Sequence, residues 1–205
     1  MLSRPRQRGF SLVELMIGVA LIAVILGLAA PAMGTYLQNS KIANATQDYF
    51  SGLQTARTEA IHRNVPVDFA LTDTAVNTVN LANVLAPSAT GLSWAVRASD
   101  PAPSAAYTLV EAKSGHDGAN DASSLSGVQV AVTGPVGFAG LITFNGFGGT
   151  SDGLPYAIDI SNSAAGVCAA IGGPIRCRRI TITPGGRISA CDPAALAADS
   201  RFCQP

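Results

Sequence analysis

The stretch 4–30, RPRQRGFSLVELMIGVALIAVILGLAA, constrains everything else in this chain. Arg4, Arg6 and Arg8 precede Gly9, and from Phe10 to position 30 the only ionisable side chain is Glu14. A helix needs about 20 predominantly apolar residues to cross a bilayer, so this run is long enough. The positive-inside rule then keeps the arginines in the cytoplasm and sends the residues from 31 onward across. A cleaved secretory signal would have an apolar core of only about 7–15 residues without charge, followed by a small-residue site such as Ala30, Pro31 and Ala32 provide. The length and Glu14 both argue against it. A plain anchor explains the length but not the carboxylate, which costs at least ~2.5 kcal/mol inside hydrocarbon. Glu14 therefore needs a partner.

The motif Gly9-Phe10-Ser11-Leu12-Val13-Glu14 after a short basic leader resembles the processing signal of type IV prepilins and type II secretion pseudopilins. The resemblance implies a leader at 1–9, cut by a membrane prepilin peptidase between Gly9 and Phe10, and N-methylation of Phe10. It also implies that the apolar helix is kept. Glu14 would meet the terminal ammonium of a neighbouring pilin or pseudopilin in a filament, which lowers the cost of burying either charge.

The whole-chain charge is balanced, but the leader takes three of the thirteen basic residues. The chain from Phe10 onward has ten basic and thirteen acidic residues. Bulk attraction to nucleic acid is not expected, and any such binding must come from a local patch. The pattern predicts one helix from Phe10 to about Asn64, with a kink or an unwound turn at Pro31 and Gly34. It divides into a membrane and polymerisation segment at 10–31 and an amphipathic half at 32–64. If helical throughout, it would extend about 80 Å, a spike carrying a globular head. Ile42, Ala45, Tyr49, Leu53, Ala56 and Ala60 recur at spacings of three and four and form one apolar stripe. Two heptads are short for a coiled coil, so the stripe is expected to pack on the chain's own head.

Beyond Asn64 the period changes to two. Strands are expected at 65–71, 92–96, 107–110, 128–132, 141–144 and 156–160, within a β-rich head at 65–205. Turn-rich segments at 99–106 and 114–127 separate them, the second carrying His116 and offering a mobile loop. Ile142-Thr143-Phe144-Asn145-Gly146-Phe147-Gly148 and the stretch 179–187 resemble the head of the GspH/FimT branch of minor pilins. The expected fold is thus α+β and pilin-like: a long N-terminal helix on an antiparallel sheet, closed at its C-terminal end by disulfides.

Near that end, Ile180 and Ile182 alternate with Thr181 and Thr183 before Pro184, Gly185 and Gly186. A three-residue loop pairs Ile182 with Ile188 on one face, whereas a two-residue loop would turn Ile188 outward. This register sets Cys191 opposite Arg179 and leaves Cys177 diagonal to it at about 7–8 Å, too far for a disulfide. Local pairs Cys168–Cys177 and Cys191–Cys203 are expected in an oxidising compartment. Zinc is disfavoured, because there is no C-x-x-C and His62 and His116 lie far from the cysteines.

Arg176, Arg178, Arg179 and Arg187 fall in an interval from Asp159 to Asp192 that contains no acid, which reads as a local positive field. Such arginines can simply keep an edge soluble. They can also grip a DNA backbone without reading bases. The second use is implied by a resemblance to FimT-like DNA receptors with a Gly-Arg-x-Arg motif, although Ser189 stands here at the position of the second arginine. Catalytic chemistry is not indicated. Gly149, Ser151 and Gly153 match a nucleophile-elbow spacing, but a strand comes next and no histidine lies downstream. No cofactor is implied. The reading is a minor pilin that primes or tips a pilus, held in the inner membrane with its head in the periplasm; a type II secretion pseudopilin and a DNA-uptake subunit are the alternatives.

Overall fold

The computed structural model describes residues 11–73, 85–99, 107–114, 128–162 and 165–203, apart from the side chains at 26 and 28–32. The expected leader, its cut between Gly9 and Phe10, and the 115–127 loop with His116 lie outside the described residues. The chain forms two compact units, Met1–Leu37 and Gln38–Pro205. Helix α1 spans Leu12–Arg63. Its helical assignment runs through positions 31 and 34, so the unwound turn expected there is absent. A proline removes a single i→i−4 hydrogen bond, and a helix this long can continue past one such loss. At its far end Asn64 takes φ 53°, the left-handed conformation that ends helices and that asparagine tolerates.

In the first unit, the described apolar side chains of α1 are exposed on every face, Leu12, Met16, Val19 and Ile22 among them. A helix apolar all round is built to be covered by lipid or by other helices. Among the described residues no helix is long and apolar enough to cross a membrane.

Among the described residues of the second unit, eight antiparallel strands form two sheets. One has the order β3 (Tyr107–Lys113), β2 (Ser93–Ser99), β1 (Val67–Thr72), β5 (Leu141–Phe144). The other runs β4 (Val128–Thr133), β6 (Tyr156–Asn162), β7 (Arg178–Ile182), β8 (Ile188–Cys191). The stripe Ile42, Ala45, Tyr49, Leu53, Ala56 and Ala60 is wholly buried and joins one core with Phe69, Trp94, Val96 and Phe144 of the first sheet and Ile158, Ile160, Ile180 and Ile182 of the second. Each large aliphatic or aromatic side chain so buried contributes about 1.5–3 kcal/mol. Gly52 lets the helix backbone lie on the stacked Phe69 and Trp94 rings, because a Cβ there would sit 2.9 Å from both. Buried Tyr49 donates its hydroxyl to the Leu92 carbonyl at 2.8 Å, and burial pushes that phenol's pKa up.

The face of the first sheet away from this core carries a polar ladder. Asp68 lies directly opposite Arg97 on β2 and Thr143 on β5. Its carboxylate accepts from Arg97 Nε at 3.0 Å and Thr143 Oγ1 at 2.8 Å. The Arg97 guanidinium sits 3.9 Å over the Tyr107 ring. Alternation alone would put these residues in solvent, yet Asp68 and Arg97 are 5% and 8% exposed.

Candidate functional site

Two places bring together the residues that the sequence singles out. The first is the start of α1. Ser11 precedes the helix and its Oγ accepts the Glu14 backbone N–H at 3.2 Å. That is an N-cap followed by an acid at the third helical position, the spacing of a capping box, and an acid in the first turn also complements the helix dipole. The Ser-x-x-Glu spacing is the signal that could have identified Ser11. Glu14 is exposed, and among the described residues its carboxylate makes no ion pair within the subunit. Local capping accounts for the backbone of this turn.

The second place is the C-terminal hairpin. Ile182 pairs with Ile188 and Arg179 with Cys191 across a turn in which Thr183 N donates to the Arg187 carbonyl and Gly186 N to the Thr183 carbonyl. The hairpin is braced from outside: Thr150 N donates to the Pro184 carbonyl at 3.0 Å. Arg57 of the helix donates to the Gly148 carbonyl, also at 3.0 Å. Cys168 is bonded to Cys177 and Cys191 to Cys203, with Cα separations of 5.5 and 4.9 Å.

The expected positive field around four arginines is not what the fold builds. Asp159, directly opposite Arg179 on β6, takes both Nε and Nη2 of that guanidinium at 2.7 and 3.0 Å. This bidentate hydrogen bonding holds the Arg179 pKa above its ordinary value. Asp192 takes Arg178 Nη1 at 3.0 Å. The two acids that bound the acid-free interval in sequence thus return to neutralise its centre. Among the described residues, Arg176 and Arg187 of these four are exposed without an acidic partner, whereas Arg178 and Arg179 are each paired with an aspartate.

In the loop closed by Cys191–Cys203, Arg201 grips Asp199 through Nε at 3.1 Å and Nη2 at 2.7 Å, with its own backbone N–H at 2.9 Å. These bonds, the side chain's foremost, hold the Asp199 carboxyl down to about 2. A depressed folded-state pKa contributes stability above the ordinary carboxylate value of ~3.9 and loses it as pH falls through the folded value. Side-chain carbon shifts should therefore show Asp199 still ionised at about pH 3, and Arg201→Ala should return its midpoint towards ~3.9.

The prokaryotic N-terminal methylation motif matches residues 4–30, the stretch that holds Glu14. The family described as type II transport protein GspH matches residues 45–186, from the buried stripe through both sheets to the turn at Gly186. The chain belongs to the GspH family. Among solved structures, the type IV minor pilin FimU of Pseudomonas aeruginosa (strain PAO1) is similar, with a TM-score of 0.50 and 14% identity over 78% of this chain and 95% of FimU. A second crystal form of FimU gives 0.48 at 14% identity, over 75% and 94%. No curated protein matches the chain. At 14% identity the likeness to FimU speaks for the fold alone. Family, methylation motif and fold together make this GspH-family chain a type IV pilin-like minor pilin or pseudopilin, of a pilus or a type II secretion system.

Proposed function

We propose that this GspH-family chain is a minor pilin that enters a type IV pilus through α1 and primes the filament or sits at its tip. In this reading a prepilin peptidase cuts between Gly9 and Phe10 and Phe10 is methylated. The apolar run from 10 to 31 holds the subunit in the inner membrane, with the β-rich unit in the periplasm, until assembly. The observation that supports it most is the start of α1: apolar side chains exposed on every face, interrupted by one exposed carboxylate at Glu14. Extraction from lipid into a bundle of like helices covers those faces. A neighbour's terminal ammonium meets Glu14, and breaking such a buried pair by removing one partner costs about 3–5 kcal/mol.

Glu14→Ala is therefore expected to lower recovery of the subunit in sheared surface filaments by about tenfold or more, with its level in the membrane fraction unchanged. Incorporation equal to the parent chain would end the charge-pairing assignment. The same strains assign the system. Loss of the gene should impair surface pili, whereas loss of protein secretion with pili intact would place the chain in a pseudopilus.

A further inference from the structure

Each sheet of the second unit has two edges, and three of these four are blunted. β3 is broken by a register shift opposite Val96 and Arg97, and it carries Glu111 and Lys113, whose Nζ lies 2.6 Å from Asp48 Oδ1. The chain returns onto β5, where Ser151 N donates to the Thr143 carbonyl at 2.8 Å. The tail is held on the end of β8 by Cys191–Cys203, and Asp192 N donates to the Arg201 carbonyl at 2.7 Å. β4 has no such guard. Among the described residues its backbone pairs with β6 alone, in an unbroken register from Val128 to Thr133. Alternate residues of an antiparallel pair turn both backbone groups away from the partner strand, so the outer side of β4 presents a row of donors and acceptors. Its side chains do not guard it either. The strand reads VQVAVT, without proline, and the sequence has no charged residue from Ala122 to Ser151. Natural edges carry a charge, a proline or a bulge that keeps other strands off, and a six-residue segment lacking all three is the kind that takes up another strand.

We propose that β4 pairs antiparallel with β4 of a second copy of this chain, joining their β4–β6–β7–β8 sheets into one continuous sheet. An open backbone ladder is satisfied by the ladder of another extended strand. Val128 and Val130 are buried while Gln129, Ala131 and Thr133 are exposed, so the added strand must alternate between apolar and small polar residues in the same way. β4 itself has that pattern. Directly opposite residues of an antiparallel pair share a face, so valines meet valines on the core side and Gln129, Ala131 and Thr133 meet one another on the other, with no like charges opposed. The contact is isologous and closes after two copies, because each open edge uses up the other. With six residues the seam is about 20 Å long, short for a standard interface, so the association is weak and concentration-dependent. It concerns the second unit alone, whichever filament the subunit enters.

The test is photocross-linking of the purified full chain in mild detergent, with p-benzoylphenylalanine in place of exposed Ala131, or of Thr133 should the first variant fail to fold. The control carries the probe in place of Phe147, which is exposed in the β5–β6 loop and reports association through other surfaces, α1 included. The β4 probe is expected to give a covalent dimer at about fivefold or more the yield of the Phe147 probe, and that yield should fall on dilution. Adding Gln129→Lys sets a lysine at the seam in each copy and should cut the yield about fivefold while the melting temperature moves by only a degree or two. These results together support the proposal. An equal yield from the Phe147 probe, or a yield indifferent to Gln129→Lys, overturns it by placing the contact elsewhere. A cross-link from β4 to the chain's own residues, or none at all, overturns it by showing that the edge takes no second copy.

Discussion

Asp68→Ala is expected to lower the unfolding free energy by about 3–5 kcal/mol, although Asp68 belongs to neither the helix nor the hairpin. The residue sits where alternation on β1 places a solvent-facing side chain, but both it and Arg97 are buried. Truncating it takes one acceptor from the buried Arg97 guanidinium, which stays stacked on Tyr107, and the acceptor from Thr143 Oγ1. Removing one member of a buried pair costs more than the pair had contributed, because desolvation had offset most of its attraction. The double change Asp68→Leu with Arg97→Met should accordingly recover most of the loss. Urea unfolding of the disulfide-intact chain in mild detergent measures both, read as a fall in midpoint at constant slope. A loss under about 1 kcal/mol for Asp68→Ala would show that the ladder contributes like an exposed pair.

The same residue shows where reading the chain in one dimension stops. Periodicity was enough for the buried stripe of α1, because a helix facing one core must repeat every three or four residues, and all six stripe positions are buried. The final register was legible for a similar reason: Ile188 can face inward opposite Ile182 with only one loop length. Asp68 was not legible, since alternation identifies the two faces of a strand without saying whether the outer one is wet. Nor was the partition into two sheets, where β5 pairs with β1 while β4 joins β6 in the other sheet. The pairing of two hairpin arginines was hidden by the same route. A charge window along the sequence sees no acid near Arg179, whereas the sheet brings Asp159 directly opposite it from twenty residues away. At the start of α1, Glu14 stood out by its cost in hydrocarbon, while the capping by Ser11 was carried by a spacing that a search for charges passes over.

Gly186→Ala should be the most damaging single methyl that can be added to the hairpin. The residue has φ 76°, a conformation that costs an L-residue roughly 1–2 kcal/mol. A Cβ built there would also overlap the Gly148 carbonyl oxygen and crowd Arg57 Nε at 3.1 Å. Neither obstacle can yield cheaply: Gly148 O accepts the Arg57 hydrogen bond, and the adjoining strand is held by Thr150 N on the Pro184 carbonyl. Adding about 1–3 kcal/mol for overpacking gives an expected loss of about 2–5 kcal/mol. At this chain length that lowers the melting temperature by roughly 5–15 °C. Gly185→Ala, one residue earlier, has an ordinary φ and open space around its Cβ, so it should change the melting temperature by only a degree or two, as surface substitutions do. The pair separates two accounts of the glycine before Arg187. If the glycine is there because the helix, the β5–β6 loop and the turn converge on its bare backbone, Gly186→Ala destabilises and Gly185→Ala does not. Equal and small effects would mean that the convergence is loose, and that the glycine answers to whatever Arg187 contacts.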